Sequence, residues 1–210
     1  VPVRPMFPLE SAVLPGDELP LRVFEPRYSA LVADCLADGD RAFGVVLIAQ
    51  GREVGGGDMR CDVGVLAHIA EHQELGGGRY RLRCLLGERI RVVEWLPDDP
   101  YPRARTEEWP DTPGPVAADE LRSVEDDIWA LFERIASARE MALPPRDELL
   151  APAVADDTGR YLYRLASRLP MGSADRYAVL AAPSPADRLV ALREAVETVT
   201  AMVEFQLGTN

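Results

Sequence analysis

Two histidines, three cysteines, a cluster of arginines and a complete lack of lysine set the limits on the chemistry available to this chain. His68 and His72 are four residues apart, which on a helix is metal-ligand spacing. The pattern around them alternates as a strand does, and four strand residues span roughly 13 Å, too far for both rings to reach one ion. A metal site is therefore not expected. Cys35, Cys61 and Cys84 are widely separated and form no close pair, so a zinc ribbon is not expected either. They read as reduced thiols acting as small core hydrophobes in a cytoplasmic protein. Counting alone leaves open a Cys–His pair between Cys61 or Cys84 and the His68 strand. No serine sits in a Gly-x-Ser-x-Gly elbow, and without lysine there is no Ser-Lys dyad, no phosphate-loop lysine and no Schiff base. The runs Gly55–Gly57 and Gly76–Gly78 lack the strand-to-helix context of a phosphate cradle and read as turns. No catalytic set assembles, and no cofactor is expected.

The arginines offer a different chemistry. All 23 basic residues are arginine, in a chain of net charge −12. An acidic protein is repelled by phosphate backbones and anionic lipid, so neither nucleic acid nor membrane is the default partner. Yet Arg79, Arg81, Arg83, Arg89 and Arg91 lie in one short stretch opposed only by Glu88. Alternation puts Arg79, Arg81 and Arg83 on one face of a strand, opposite Tyr80, Leu82 and Cys84. Such a stripe could bind RNA or another anion. We favour the plainer reading, in which these arginines pair across strands with Glu71, Glu74 and Glu94 on a solvated face.

The elements that position these residues follow from periodicity and punctuation. Residues 3–9 and 19–24 read as strands around a Pro15-Gly16 turn. Pro26 opens a helix over 26–37, with Tyr28, Leu31, Val32 and Cys35 on one side. Residues 42–49 are almost continuously apolar and read as a strand buried on both faces. Strands at 61–74 and 79–86 flank the Gly76–Gly78 turn, and Gly87-Glu88 turns or bulges the chain into 89–96. A last strand is expected near 103–109. Pro and Gly at 110–115 mark a boundary. Beyond it the spacing is helical: a stripe from Leu121 to Ile135, a helix over 157–169, a short one from Ser173, and a long one opened by Ser184-Pro185. Strands first and helices second make an α+β arrangement, with domains expected at 1–112 and 113–210. No apolar run approaches the roughly 20 residues of a membrane span.

The opening residues carry a family likeness. Met6–Tyr28 reads MFPLESAVLPGDELPLRVFEPRY, two short Pro-Leu strands running into Phe-Glu-Pro-Arg-Tyr and a helix. This resembles the start of the Lon protease N-terminal domain. Phe43-Gly44-Val45, the Gly64-containing strand with its Gly-rich turn, and Gly87-Glu88-Arg89-Ile90-Arg91-Val92 resemble later family motifs in the same order. The likeness covers roughly residues 5–109. It departs at Gly76–Gly78, where the family often has Asp-Gly. It implies a PUA-like β pseudo-barrel with one helix, followed by a C-terminal helical subdomain. It further implies a non-catalytic module that recognises exposed protein segments or a protein partner. The ATPase and peptidase of Lon lie further along the chain, so a stand-alone member is expected. Leu14, Pro15, Glu25, Arg27 and Tyr28, with the loop over 51–58, are the expected peptide-binding surface. For the 24–28 segment a purely structural reading is also available: Phe24 and Tyr28 anchor the helix, Glu25 favours its positive end, and Arg27 pairs locally.

Overall fold

Alternating apolar residues, punctuated by Pro and Gly, organise the described residues of the first half of the chain into six strands and one helix. The structure, a computed structural model, describes residues 1–49, the backbone of residue 50, and residues 59–151 and 157–208. It divides into two units, Val1–Pro110 and Asp111–Asn210. The first holds β1 (Val3–Leu9), β2 (Glu18–Val23), α1 (Pro26–Ala37), β3 (Ala42–Gln50), β4 (Met59–Gly76), β5 (Arg79–Leu96) and β6 (Arg103–Glu108). The second holds α2 (Ala118–Ala138), α3 (Arg146–Leu150), α4 (Thr158–Arg168), α5 (Ser173–Ala181) and α6 (Pro185–Gly208). The fold is α+β, as the order of patterns indicates.

The sheet nearly closes on itself. Its order is β2-β5-β4-β3-β1-β6, and β6 also pairs with β5. β5 is long enough to serve three partners. It lies against β4, against β2 over Tyr80–Leu85, and against β6 over Ile90–Leu96. β1 runs parallel to β3 and antiparallel to β6. Five strands thus form a ring, and β2 hangs on the first half of β5 as an extra strand.

Inside the ring Met6, Val46, Leu66, Ile90, Val92 and Ala104 pack together, with Trp95 against them. Gly44 and Gly64 make this possible. A Cβ on Gly44 would lie 2.5 Å from the Met6 sulfur, and one on Gly64 would lie 2.2 Å from the Val45 carbonyl oxygen. β3 is buried on both faces along most of its length, as its continuous apolar run requires. On the other face of β1, Phe7 stacks on Tyr28 of α1 at 4.1 Å between ring centroids. Leu31, Val32 and Cys35 continue the buried side of that helix.

Of the turn or bulge expected at Gly87-Glu88, the structure has the bulge: β5 runs through it. Val65 pairs with Arg89 and Ala67 with Leu86, so β5 carries one extra residue at this point, a bulge.

In the helical unit α6 is the hub. Leu189, Leu192, Val196 and Val199 are buried, as are Val124, Ile128 and Leu131 of α2 and Leu162 and Leu165 of α4. The Ser184 hydroxyl accepts a hydrogen bond from the Asp187 amide at 3.1 Å, capping α6 as its sequence signature indicates. α3 has no counterpart in the sequence reading; five residues are too few to show a period.

Candidate functional site

The helix start after β2 is built from local contacts. Glu25 stands at the N-cap of α1 with Pro26 in its first turn. The Arg27 Nε donates to Glu25 Oε2 at 3.2 Å, and its guanidinium lies over the Tyr28 ring at 4.5 Å. The Ser29 hydroxyl donates back to the Glu25 carbonyl at 3.1 Å. Glu25 and Arg27 are therefore half-buried partners of each other, and Tyr28 is buried beneath them. Leu14 is fully buried, so its side chain has no surface to offer a partner; Pro15 beside it is half-buried. The loop over 51–58 lies outside the described residues.

Phe24 departs from the anchoring role that its position before the helix suggests. It is 62% exposed, and Phe7 takes the place against Tyr28 instead. The reason is parity. Val23 points inward at the end of β2, so the next side chain points out.

Phe24 sits on the rim of a groove of about 320 Å³. Phe7 and Leu9 of β1 line one side, and Leu19, Leu21 and Arg22 of β2 line the other. The groove exists because of strand pairing. Among the described residues β2 has a strand partner on one side only, and the facing half of β1 turns its other edge to β3. Leu19 and Leu21 point to the same face as buried Leu82 and Cys84, yet they stay half-exposed because nothing among the described residues closes the gap.

The arginine stripe is broken up. Arg83 donates to Glu71 at 2.6 Å and to Glu18 at 3.1 Å, a cross-strand triad that holds the Glu71 carboxyl below its usual range. Arg89 is buried with its guanidinium 4.3 Å from the centroid of the Trp109 ring. The Arg79 Nε donates to the Gly76 carbonyl in the hairpin turn. Arg91 is exposed but opposite Glu107. Arg81 is exposed opposite Arg22 on one side and Gln73 on the other. The five arginines do not form one basic surface.

The thiols and histidines do not converge either. Cys84 is wholly buried, while His68 stands on the opposite, solvent face of the same sheet, 3.6 Å from Glu88. Burial pushes the Cys84 thiol up to about 12, and burial together with Asp34, Asp38 and Asp40 does the same for Cys35. A thiol so suppressed is a poor nucleophile near neutral pH. Both histidines lie on β4, at the strand spacing their surroundings indicate.

The described residues thus form a pseudo-barrel carrying one helix, with an apolar groove beside the open edge of β2, and a helical unit follows in the chain. Comparison with known proteins gives the family. The model of the ATP-dependent protease La (Lon) substrate-binding domain matches residues 3–198, so the chain belongs to that family. The match runs through the helical unit as well, beyond the 5–109 stretch that carries the sequence likeness. Lon protease 1 of Herpetosiphon aurantiacus is 28% identical over 194 residues, covering 89% of this chain and 23% of its own length. Lon protease of Anaeromyxobacter dehalogenans is 33% identical over 129 residues, covering 60% of this chain and 14% of its own. The chain thus spans less than a quarter of the length of these curated relatives. The Lon N-terminal domain protein from Xanthomonas campestris superposes with a TM-score of 0.66 at 26% identity, over 91% of this chain and 97% of that one. The N-terminal domain of Mycobacterium avium complex Lon protease shares the fold, with a TM-score of 0.63 at 17% identity over 93% and 98%. No described helix is long and apolar enough to cross a membrane.

Proposed function

We propose that this protein is a non-catalytic binding module that captures exposed, extended protein segments in the groove between β1 and β2. The observation that carries the reading is the pairing of an open strand edge with apolar surface. Leu19, Leu21 and Phe24 stand uncovered beside the unpaired side of β2. An unpaired edge offers main-chain hydrogen bonds of any sequence, and the apolar wall rewards the residues that unfolding exposes. Folded proteins present neither feature freely. Membership of a substrate-binding family supports the same reading, since the family's relatives are ATP-dependent proteases. Glu25, Arg27 and Tyr28 then serve from behind: they fix the helix start that carries Phe24. The suppressed thiols and the separation of Cys84 from His68 favour binding without bond cleavage. Buried reduced thiols also suit work in the cytoplasm.

The test is a binding titration with carboxymethylated, permanently unfolded α-lactalbumin against its folded, disulfide-intact form. The unfolded form binds and the folded form does not. Phe24→Ser leaves the melting temperature unchanged and weakens binding about tenfold, the loss of one buried aromatic contact. Equal affinity for both forms, or no affinity for either, overturns the proposal.

A further inference from the structure

The unpaired edge of β2 has a defined register, and its outer face has a defined charge. Pro20 lies opposite Arg83 and has no N–H to give to β5. Below it, the Leu86 amide donates to the Asp17 carbonyl and the Gly16 amide donates to the Leu86 carbonyl. Antiparallel pairs alternate, so Leu19, Leu21 and Val23 turn their backbone groups to β5. The N–H and C=O of Glu18 and Arg22, and the C=O of Pro20, then face the open side. A strand laid there makes full two-bond pairs opposite Glu18 and Arg22 and a single bond opposite Pro20.

The side chains beside these groups are not equivalent. At Arg83, Glu71 from the paired position on β4 and Glu18, reaching diagonally from β2, flank the guanidinium and neutralise it. In the row through Arg81, the neighbours are Arg22 and Gln73. Arg22 and Arg81 therefore oppose each other directly, both exposed, and among the described residues neither joins an ion pair. Like charges opposed across strands are destabilising. In a chain of net charge −12, this row holds two cations together with no acid at the paired positions among the described residues. A residue of an incoming strand placed opposite Arg22 points its side chain to this same outer face, while the residues before and after it point to Leu19, Leu21 and Phe7.

We propose that the β2 edge takes an extended peptide in which an acidic residue, flanked by apolar residues, pairs with Arg22 and Arg81. This rests on the peptide-capture reading and specifies it: strand addition supplies the register, and the arginine pair selects the acid.

The experiment uses fluorescence anisotropy of labelled Thr-Leu-Glu-Leu-Thr-Leu-Thr with the whole chain, alongside versions carrying Gln or Lys in place of Glu. The Glu peptide binds about fivefold tighter than the Gln peptide, the size of one good cross-strand pair, and the Lys peptide is weaker still. The double variant Arg22→Glu/Arg81→Glu reverses the order and prefers the Lys peptide; both sites are exposed, and circular dichroism checks the fold. N-methylation of the Glu amide lowers affinity roughly tenfold through the lost main-chain bond, whereas N-methylation of the following Leu, whose amide faces away, leaves it unchanged. Three outcomes overturn the inference while leaving peptide capture standing. They are binding indifferent to the Glu, an order of preference that the double variant does not move, and equal effects of the two N-methyl groups. Displacement of the peptide by single-stranded RNA that depends on Arg22 and Arg81 also overturns it, by making the pair a phosphate site. If no peptide and no unfolded protein binds, both readings fall together.

Discussion

Cys35 and Cys84 show how strongly burial governs single residues here. Both thiols sit in the core, and both are pushed from an ordinary value of 9.0 up to about 12. Their neutral form is favoured by the fold, so their contribution to stability is complete below pH 9. Between pH 9 and about 12 the unfolded chain loses these protons and the folded chain keeps them, so stability falls across that window. Urea midpoints measured from pH 8 to pH 11 therefore decline. Each of Cys35→Ala and Cys84→Ala flattens the decline, while lowering the midpoint at pH 8 by removing a packed side chain. A thiol reagent at pH 8 modifies Cys35 and Cys84 only on the timescale of unfolding. The burial of these residues was legible in the sequence, since each falls among apolar neighbours at the right period. The exposure of Phe24 was not. Its neighbours on both sides are structural, and only the parity of β2 turns it outward.

At the scale of elements, one buried cation organises the helical unit. Arg188 on α6 has no exposed surface. Its guanidinium donates to both oxygens of Asp111 and to the Gly159 carbonyl, and lies 3.8 Å from the centroid of the Tyr163 ring. Gly159 leaves room for this: a Cβ there would lie 2.6 Å from Asp111 Oδ2 and 2.9 Å from Arg188 Nη1. The first residue of the unit, α4 and α6 are thus tied at one point. Arg188→Ala removes the partner of Asp111 and leaves a large void, and costs about 3–5 kcal/mol in urea unfolding. Arg188→Met, which fills the space but abandons the carboxylate, recovers part of that loss. Most elements were readable beforehand, because Pro, Gly and capping residues punctuate strong periods at 26, 76–78, 110–115 and 184–185. One was not: the five residues of α3 carry no period. At Gly87-Glu88 the local pattern leaves a turn or a bulge open, and only the pairing with β4 selects the bulge that keeps β5 whole. The stripe of arginines read correctly as cross-strand pairing at Arg83, through Glu71. The directly opposed Arg22 and Arg81 depend on a strand register that no local pattern specifies.

For the molecule as a whole, the groove is a consequence of topology. β5 gives its first half to β2 and its second to β6, so among the described residues β2 gains one partner and keeps one open edge. Short edge strands and a proline are usual protections against unwanted pairing, and β2 has both, with six residues and Pro20 in the middle. It nevertheless retains apolar side chains beside that edge, which fits an edge kept for controlled use. The central claim is that an extended segment lies along β2. Amide exchange followed by NMR, with and without saturating carboxymethylated α-lactalbumin, addresses it residue by residue. The account predicts that the Glu18 and Arg22 amides slow sharply on binding while the Leu19 and Leu21 amides, already bonded to β5, change little. Unchanged exchange at Glu18 and Arg22 in the bound state, or protection confined to α2–α6, would contradict it.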